Sequence, residues 1–560
     1  MNNTGKFIGL GAVVLLVVFA IVFIGVSLTS NSKPVKVTDK NKAKILNKMY
    51  SDIDITKEKA IKGSIDLNPA NVASELPSIN KFDVSVKNTT NDYVEIFSST
   101  EKSGTGADGW INKVADDFNK SNVTVDGKRV SVKIRNIASG TATDYIKSKK
   151  YIPDGFTPSN ELWGEMTKAS GVKTEMISKS MVGNVPGILL KNSKYNEIKK
   201  KYGKIDAKTV IKAMANNELT MGYTDPYASS TGLNLLISIL HTFDAGNLLG
   251  NKAVSGFEKF QNNVPFTALT TLQMRDAAKS GTLDGFVMEY QTFSQAPDLK
   301  ANYTFTPFGV RHDSPLYALG NSSSEKKQIL QKFADFSKQT KYQELGSKYG
   351  FNHESNYKSE YSGVDGATLT SAQALWKEKK DLQKPISAVF VADTSGSMGG
   401  APLNQLKKSL LQSQKYLGRQ NSIGLVSYAN DVSINLPIGK YTIEQQSKFV
   451  GAVERLEASG GTATYDGIIV AIRMLQDQMK KNPNTRPIIF VLTDGETNGG
   501  HSLDEVKGLI KAYKMPIYTI GYNANLKDLE KVSNINEAAS INADTDDVIY
   551  KIKNLFNVQL

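Results

Sequence analysis

The last third of the chain alternates short apolar segments with amphipathic ones, and this alternation restricts the fold more than any other feature. Helical patterns such as PLNQLKKSLLQSQKYLG and GIIVAIRMLQDQMKK separate segments that are typical of buried strands. These strand-like segments are SAVFVA, SIGLVSYA, RPIIFVLT and PIYTIGY. Strands that alternate with helices pair in parallel, with helices on both faces. The sequence therefore predicts a doubly wound, largely parallel α/β sheet over residues 385–560.

Oxygen-bearing side chains follow these elements at the edge of the predicted sheet. Asp393, Ser395 and Ser397 follow the first strand, Thr462 lies in GGTATYDG, and Asp494 lies in VLTDGE. Ligands bind at the carboxyl ends of strands in such sheets. A set of oxygens with only two carboxylates suits Mg²⁺ or Mn²⁺, with positions left for water. A cation held by so few charges can accept one more carboxylate.

Residues 385–560 resemble the von Willebrand factor type A (VWA) domain, whose metal-ion-dependent adhesion site has the same D-x-S-x-S, Thr and Asp elements. The resemblance implies that these five side chains hold a divalent metal, directly or through water. It also implies that an Asp or Glu of a protein partner takes the last coordination position. If the hydroxyls were only turn and cap residues, the matching positions of Thr462 and Asp494 would stay unexplained.

A second α/β region precedes this one. DYVEIFSST is typical of a strand that ends in hydroxyls, and the helical pattern DGWINKVADDFNKSN follows it. RVSVKIRNIASGTATDYI repeats the arrangement, and in TDPYASSTGLNLL hydroxyls again precede an apolar helix. The free N–H groups at such helix starts suit a polar or anionic ligand. The alternative is that each hydroxyl is only an N-cap, contributing about 1 kcal/mol to its helix.

Residues 91–355 resemble the bacterial extracellular solute-binding proteins of the two-lobed, periplasmic-binding-protein-like type. The stretches that carry this resemblance are IPDGFTPSNELW, GYTDPYASSTGLNLL, GTLDGFVMEYQTF and RHDSPLYAL. In that family the ligand lies between two lobes and contacts helix starts. The resemblance implies a cleft formed by Ser98, Ser99, Thr100, Ser139, Thr141, Thr224, Ser230, Thr231, Glu289 and Tyr290.

Residues 7–29 contain no charged side chain and are long enough to cross about 30 Å of hydrocarbon at about 1.5 Å per residue. They predict an uncleaved membrane helix, since a signal peptide has a shorter apolar run and a small-residue cleavage site. Six lysines between residues 33 and 48 follow the helix and only Lys6 precedes it, which alone favours a cytoplasmic location. The solute-binding resemblance favours the opposite. We expect a single-pass protein of the cell membrane with its N-terminus inside and the remainder extracellular.

At 560 residues the chain is too long for one hydrophobic core, because cores stop growing at about 250–300 residues. The composition and the resemblances divide it into five parts. These are a transmembrane helix (7–29), a polar stalk or linker (30–90), a solute-binding-like domain (91–355), a charged helical connector (356–384) and a VWA domain (385–560).

Several classes of function are not expected from this composition. The chain has no cysteine and four histidines, none of them paired at metal-ligand spacing, which argues against a zinc site. The net charge is +13, but no arginine-rich run with interleaved aromatics marks a nucleic-acid groove. Ser99 and Lys102 have the S-x-x-K spacing of some serine acyltransferases, without a convincing S-x-N element. We therefore expect no enzyme and no nucleic-acid partner.

Two hypotheses for function remain. In the first, the chain is a membrane-anchored extracytoplasmic receptor whose clamshell closes on a small polar or anionic solute and whose VWA domain binds a protein. In the second, the clamshell has no small-molecule ligand, and the protein is a surface interaction or adhesion module. A closed cleft that retains a ligand favours the first, whereas an open cleft filled by its own side chains favours the second.

Overall fold

The computed structural model describes residues 37–65, 72–265, 267–268, 274, 283–380, 384–495, 497–522, 527–535, 540–543 and 548–559. The predicted membrane helix at 7–29 lies outside these residues. Within the described ranges, no helix is both long enough and apolar enough to cross a membrane.

Residues 37–65 pack against the C-terminal domain. They form helix α1 (Lys42–Ser51) and strand β1 (Ile55–Lys57). Leu46 of α1 is fully buried, and β1 pairs in parallel with the strand Val432–Lys440. The prediction of a stalk over 30–90 is therefore wrong for these residues. The apolar periodicity of these residues in the sequence is weak, because β1 is short and half exposed at a sheet edge.

The chain then builds a first lobe. Its sheet contains the strands Val84–Val86, Lys128–Asn136, Asp92–Ser98, Gly155–Thr157, Leu316–Leu319 and Thr174–Ser178, in that order across the sheet. The strand Thr124–Val125 lies beside Lys128–Asn136. The elements before the chain leaves this lobe are α2 (Val72–Glu75), β2 (Val84–Val86), β3 (Asp92–Ser98), α3 (Thr100–Ser103), α4 (Trp110–Lys120), β4 (Thr124–Val125), β5 (Lys128–Asn136), α5 (Ser139–Lys147), β6 (Gly155–Thr157), α6 (Glu161–Ala169) and β7 (Thr174–Ser178).

A second lobe follows, with a five-stranded sheet in the order β10-β9-β11-β8-β12. Its described elements are β8 (Pro186–Lys191), α7 (Asn192–Tyr202), α8 (Ala207–Ala215), β9 (Met221–Thr224), α9 (Ser230–Phe243), α10 (Asn251–Gln261), β10 (Thr267–Ala268), β11 (Gly285–Glu289), α11 (Tyr290–Ser294), α12 (Pro297–Asn302) and β12 (Tyr303–Pro307).

The chain returns to the first lobe and then crosses to the C-terminal domain. The returning elements are β13 (Leu316–Leu319), α13 (Ser324–Ser337), α14 (Thr340–Lys348) and α15 (Gly366–Lys379). Helix α15 lies in the predicted connector, and its buried Trp376 donates its Nε1 proton to Tyr223 Oη at 2.5 Å. The connector is thus a helix packed on the two-lobed domain. The chain passes twice between the lobes, so their relative position depends on two crossings.

The C-terminal domain has a seven-stranded sheet in the order β1-β16-β15-β14-β17-β18-β19. Neighbouring strands are parallel except β15 and β16, so the predicted parallel sheet is mixed at one side. Its described elements are β14 (Ile386–Asp393), α16 (Ala401–Ser413), β15 (Ser422–Tyr428), β16 (Val432–Lys440), α17 (Ile443–Glu454), α18 (Thr464–Lys481), β17 (Arg486–Thr493), α19 (Leu503–Tyr513), β18 (Ile517–Tyr522), α20 (Lys527–Ile535), β19 (Ser540–Ala543) and α21 (Val548–Gln559).

Alternating side chains of β14 explain why helices cover both faces of this sheet. All residues of β14 are buried, as expected for a central strand covered on both sides. Phe390 stacks on Phe490 with ring centroids 5.2 Å apart, beneath Phe556 of α21. Val389 and Val391 point to the other face and pack in one cluster with α18 and α19. The predicted α/β class is confirmed for this domain.

Candidate functional site

The end of β14 positions Asp393 through two hydrogen bonds. Asp393 is fully buried, and its Oδ1 accepts the backbone N–H of Ser395 at 2.8 Å. Its Oδ2 accepts the hydroxyl proton of Thr493, at a donor–acceptor distance of 2.5 Å. Thr493 ends β17, which lies beside β14 in the sheet. Both carboxylate oxygens are therefore held in fixed directions by the loop and the neighbouring strand.

A chain of hydroxyls links Asp393's loop to the loop after β17. Ser395 Oγ lies 3.0 Å from Ser397 Oγ, and Ser397 Oγ donates to Asp494 Oδ1 at 3.0 Å. Burial raises the pKa of the Asp393 carboxyl, and the negative charge of Asp494 raises it further. A nearby divalent cation would favour the charged form of both groups. The donors and their electrostatics therefore fit a hard cation.

The loop that carries Thr462 lies between the other two loops. Its Gly460 carbonyl accepts the N–H of Gly396 at 2.9 Å, which joins it to the first loop. The N–H of Thr462 donates to Asn498 Oδ1 at 2.8 Å, and the Thr462 carbonyl accepts the N–H of Asn498 at 3.1 Å. The structure thus brings all three predicted loops to one edge of the sheet. Sequence reasoning did not identify Thr493 and Asn498, which hold this arrangement.

The chemistry of this donor set is restricted. The described part of the chain has no group of three or more His, Cys, Asp or Glu side chains that could hold a metal ion. A metal at this edge would therefore be bound by hydroxyl as well as carboxylate oxygens. Such a set suits a hard cation such as Mg²⁺ or Mn²⁺.

His501 and Asp466 tie the loop after β17 to the start of α18. His501 Nδ1 lies 2.6 Å from Asp466 Oδ1, and the backbone N–H of His501 donates to the same oxygen at 3.0 Å. The hydrogen bond between the two side chains is the largest cause of the raised pKa of His501. The loop that carries Asp494 is therefore fixed at both ends.

A small cavity of about 30 Å³ lies between the two lobes and is partly open to solvent. The contacts across it include the Trp163 Nε1 proton donated to Ser230 Oγ at 2.8 Å. They also include the Gly140 N–H donated to the Ala228 carbonyl at 3.3 Å. The lobes are thus closed on each other. The predicted cleft residues that line this cavity are Thr100, Ser139, Ser230 and Glu289.

Four further predicted residues lie close to these. Ser99 accepts a hydrogen bond from Lys102, and Thr224 donates to Ser229 Oγ at 2.9 Å. Thr231 Oγ1 donates to Glu289 Oε1 at 3.3 Å. Ser98 is buried at the end of β3, with no partner for its Oγ among the described residues. These four side chains lie next to the cavity residues but do not line the cavity themselves.

Two predicted cleft residues, Thr141 and Tyr290, are not among the residues that line this cavity. Thr141 accepts a hydrogen bond at 2.5 Å from the Tyr550 hydroxyl, so it contacts helix α21 of the C-terminal domain. Helix α5 starts at the cleft with Ser139. Thr141 is two residues further along, and its side chain therefore lies on another side of the helix. Tyr290 packs its ring against Phe293 and Phe305, with centroids 6.1 and 5.2 Å away. Its aromatic ring prefers this apolar cluster.

Charged groups that the sequence did not assign to the cleft are also present. Glu101 lines the cavity, and its carboxylate accepts a hydrogen bond from Ser159. Lys102 is fully buried, and burial lowers its pKa to about 8. The S-x-x-K spacing of Ser99 and Lys102 does bring them into contact, because they lie one turn apart around the short helix α3.

Comparisons with known proteins match the C-terminal domain to a known family. Residues 388–558 match the model of the von Willebrand factor type A domain. The uncharacterized protein sll0103 of Synechocystis sp. is 30% identical over 156 residues, which cover 28% of this chain and 36% of that protein. Inter-alpha-trypsin inhibitor heavy chain H3 of Homo sapiens is 30% identical over 151 residues, which cover 25% of this chain and 17% of that protein. This chain therefore spans well under half the length of either relative.

Among solved structures, a periplasmic thiamin binding protein is similar at a TM-score of 0.38 with 11% identity. The match covers 53% of this chain and 99% of that chain. The family match over residues 388–558 identifies the C-terminal part of the chain as a VWA domain, which confirms the prediction made from its three loops. Periplasmic solute-binding proteins are among the structural neighbours, with matches that cover about half of this chain.

Proposed function

We propose that this protein is a membrane-anchored, extracytoplasmic binding protein whose VWA domain captures a protein partner through a divalent metal ion. The observation that carries the proposal is the chain of oxygens Ser395–Ser397–Asp494, which joins the ends of β14 and β17. Hydroxyls at these positions cap no regular helix, because a short 3₁₀ turn at Gly396–Met398 follows Ser395. In this proposal the same hydroxyls serve a shared ligand.

In this proposal Asp393, Ser395, Ser397, Thr462 and Asp494 hold Mg²⁺ or Mn²⁺, directly or through water. The bound ion supplies a positive centre that a partner's Asp or Glu can ligate. Thr493 contributes by holding the Asp393 carboxylate, so that little reorganisation accompanies binding. The hydroxyls add donors without adding charge, which leaves the site attractive to one more carboxylate.

The two-lobed domain, in the same proposal, binds a small polar solute between its lobes. A specific observation favours an alternative, in which this domain has no small-molecule ligand and the protein is an interaction or adhesion module. The cavity measures only about 30 Å³, compared with about 10–15 Å³ that a single water molecule requires, so it is small for a solute. Native mass spectrometry of the freshly purified full chain decides between them. A retained small molecule supports the receptor, and a clean mass after incubation with cell extract supports the alternative.

The extracellular location rests on the sequence resemblance of residues 91–355 to extracellular solute-binding proteins. Long domains can cross the membrane despite the lysines that follow the predicted helix. Protease treatment of intact cells tests the location. Digestion of the VWA domain is the expected result, whereas its full protection contradicts this topology.

Partner capture by the VWA domain is tested with the immobilised full chain. We expect proteins to be retained in Mg²⁺ and released by chelation, and we expect Asp494→Ala to lose this retention. Asp504→Ala is the matched control, since it removes an exposed carboxylate from α19 of the same domain. Capture that is unchanged in Asp494→Ala would remove the metal site from the proposal.

A further inference from the structure

Glu289 ends β11 and places a carboxylate in the cavity between the lobes. The residue is only 2% exposed. Its Oε1 accepts the Thr231 hydroxyl at 3.3 Å and lies 2.7 Å from His312 Nδ1. Its Oε2 has no hydrogen-bond partner among the residues that the structure describes. A buried carboxylate oxygen without a donor is costly, so the site is incomplete at this atom.

Hydrogen bonds around His312 determine which ring nitrogen carries its proton. The Nε2 atom lies 3.0 Å from Asn160 Nδ2 and 3.2 Å from Asn234 Nδ2. Both amides are oriented, because their Oδ1 atoms accept backbone N–H groups at 3.2 and 3.0 Å respectively. Their Nδ2 atoms are therefore donors, and His312 Nε2 accepts. The ring then donates its Nδ1 proton to Glu289 Oε1, which leaves Oε2 without a donor among the described residues.

The buried Lys102 does not pair with Glu289 either. Its Nζ donates to Ser99 Oγ and to two backbone carbonyls, at 2.8 and 3.3 Å, which uses its three protons. Burial is the largest cause that raises the pKa of Glu289, and the charge of Glu101 raises it further, whereas the hydrogen bond from His312 and the charge of Lys102 lower it. A positive charge in the cavity would oppose the two effects that raise this pKa.

We propose that the interlobe cavity binds an ammonium group, with Glu289 Oε2 and the Glu101 carboxylate as its acceptors. This inference rests on the proposed solute-binding function and specifies its ligand class. The hydroxyls of Thr100, Ser139 and Ser230 complete a polar lining. From the sequence, the helix starts at the cleft favoured a polar or anionic ligand. The carboxylates of Glu289 and Glu101 at the same cavity favour the opposite charge, because a bound anion would be repelled by both.

The size of the cavity agrees with this ligand class. About 30 Å³ exceeds the roughly 10–15 Å³ that one water molecule requires, so the cavity accommodates a compact group such as an ammonium centre. A free ammonium ion and the charged amino group of a small amine share this chemistry.

Isothermal titration of the full chain, freed of retained solute by unfolding and refolding, tests the proposal. The probes are ammonium chloride and methylammonium chloride, and potassium chloride is the control because K⁺ has no N–H donor. Sodium sulfate tests an anion. We expect saturable binding of an ammonium probe and none of potassium or sulfate. Stronger binding of ammonium assigns the site to the free ion, and stronger binding of methylammonium assigns it to an amine.

Glu289→Gln should weaken this binding by at least about tenfold, since a charge-assisted hydrogen bond is lost while the shape is kept. Glu101→Gln should weaken it in the same direction and does not depend on the buried His312 pair. Glu344→Gln, an exposed carboxylate on α14, is the matched control and should leave binding unchanged. Unchanged affinity in both Glu289→Gln and Glu101→Gln would overturn the assignment.

The outcomes also separate this inference from the proposed function. Binding of sulfate, or equal binding of potassium and ammonium, overturns the ammonium ligand and leaves a solute-binding domain. A retained compound without a cationic nitrogen in native mass spectrometry does the same. If no probe binds and no compound is retained, both the ammonium ligand and the solute-binding function are contradicted.

Discussion

The edge of the VWA sheet and the cavity between the lobes arrange oxygen atoms in opposite ways. At the sheet edge, Ser395, Ser397 and Asp494 form one hydrogen-bonded chain across adjacent loops. In the cavity, one oxygen of Glu289 has no hydrogen-bond partner among the described residues, and the space beside it is small. We propose a cation within reach of a partner for the first arrangement. For the second we propose a ligand that supplies the missing donor.

The largest effect is expected from Asp494→Ala at the sheet edge. Removing one of two carboxylates should weaken Mg²⁺ and Mn²⁺ binding by more than about a hundredfold, beyond what is usual for residues that only support a metal ligand. Isothermal titration measures the affinity, with Asp504→Ala as the control. Equal Mn²⁺ affinity in the two variants would show that the sheet edge is not the metal site.

Thr493→Val tests whether the orientation of Asp393 matters as well as its charge. Loss of the hydroxyl that bonds Asp393 Oδ2 should weaken metal binding by about 10–100-fold, as for other supporting residues. Thr485→Val is the control, because the Thr485 hydroxyl donates to Pro385 at the opposite end of the sheet. Full affinity in Thr493→Val would mean that the carboxylate needs no such support.

Gly140→Ala tests the closure of the cavity. A Cβ atom at this position would lie 2.0 Å from the Tyr227 carbonyl oxygen, so the lobes could not approach fully. Overpacking of this kind costs about 1–3 kcal/mol, and we expect a larger radius of gyration in X-ray scattering. Gly246→Ala, whose Cβ would meet an atom only at 3.8 Å, is the control. An unchanged radius in Gly140→Ala would show that the lobes do not close here.

The smallest effect concerns the pH dependence of the His501–Asp466 contact. The pKa of His501 is raised by its hydrogen bond to Asp466. Its stabilising contribution is therefore complete below the unfolded pKa of about 6.5 and is lost as pH rises through the folded value. We expect about 1 kcal/mol, because this is one hydrogen-bonded pair that is largely but not fully buried.

Thermal unfolding between about pH 6 and pH 9 measures this effect without added metal. The wild-type chain should lose more stability with rising pH than His501→Gln, and His353→Gln should behave as wild type. His353 is exposed and lies in the two-lobed domain. Parallel pH curves for wild type and His501→Gln would contradict the stabilising contact.

The VWA site was predictable because its information is local. Each of its five predicted residues follows or separates elements with strong apolar periodicity, and parallel strands bring their ends to one edge. Asn498 was missed because nothing in its glycine-rich loop indicates that it bonds Thr462. Strand β1 was missed for a related reason, since it has three residues and its partner β16 is far away in the chain.

The cavity was only partly predictable because its groups come from distant segments. Glu289 was identified from the resemblance to solute-binding proteins, but its partners His312 and Thr231 are joined to it only by the fold. The sequence does not show in which direction a hydroxyl at a helix start points. Thr141 therefore could not be distinguished from Ser139, although the first contacts another domain and the second lines the cavity.

The most direct test of the central claim is the diffraction of crystals of the full chain grown with Mn²⁺, recorded at a wavelength where manganese scatters anomalously. The account predicts an anomalous peak within bonding distance of the Ser395 and Ser397 hydroxyls and beside Asp393 and Asp494. A fully occupied Mn²⁺ elsewhere in the chain, with no peak at this edge of the sheet, would contradict it.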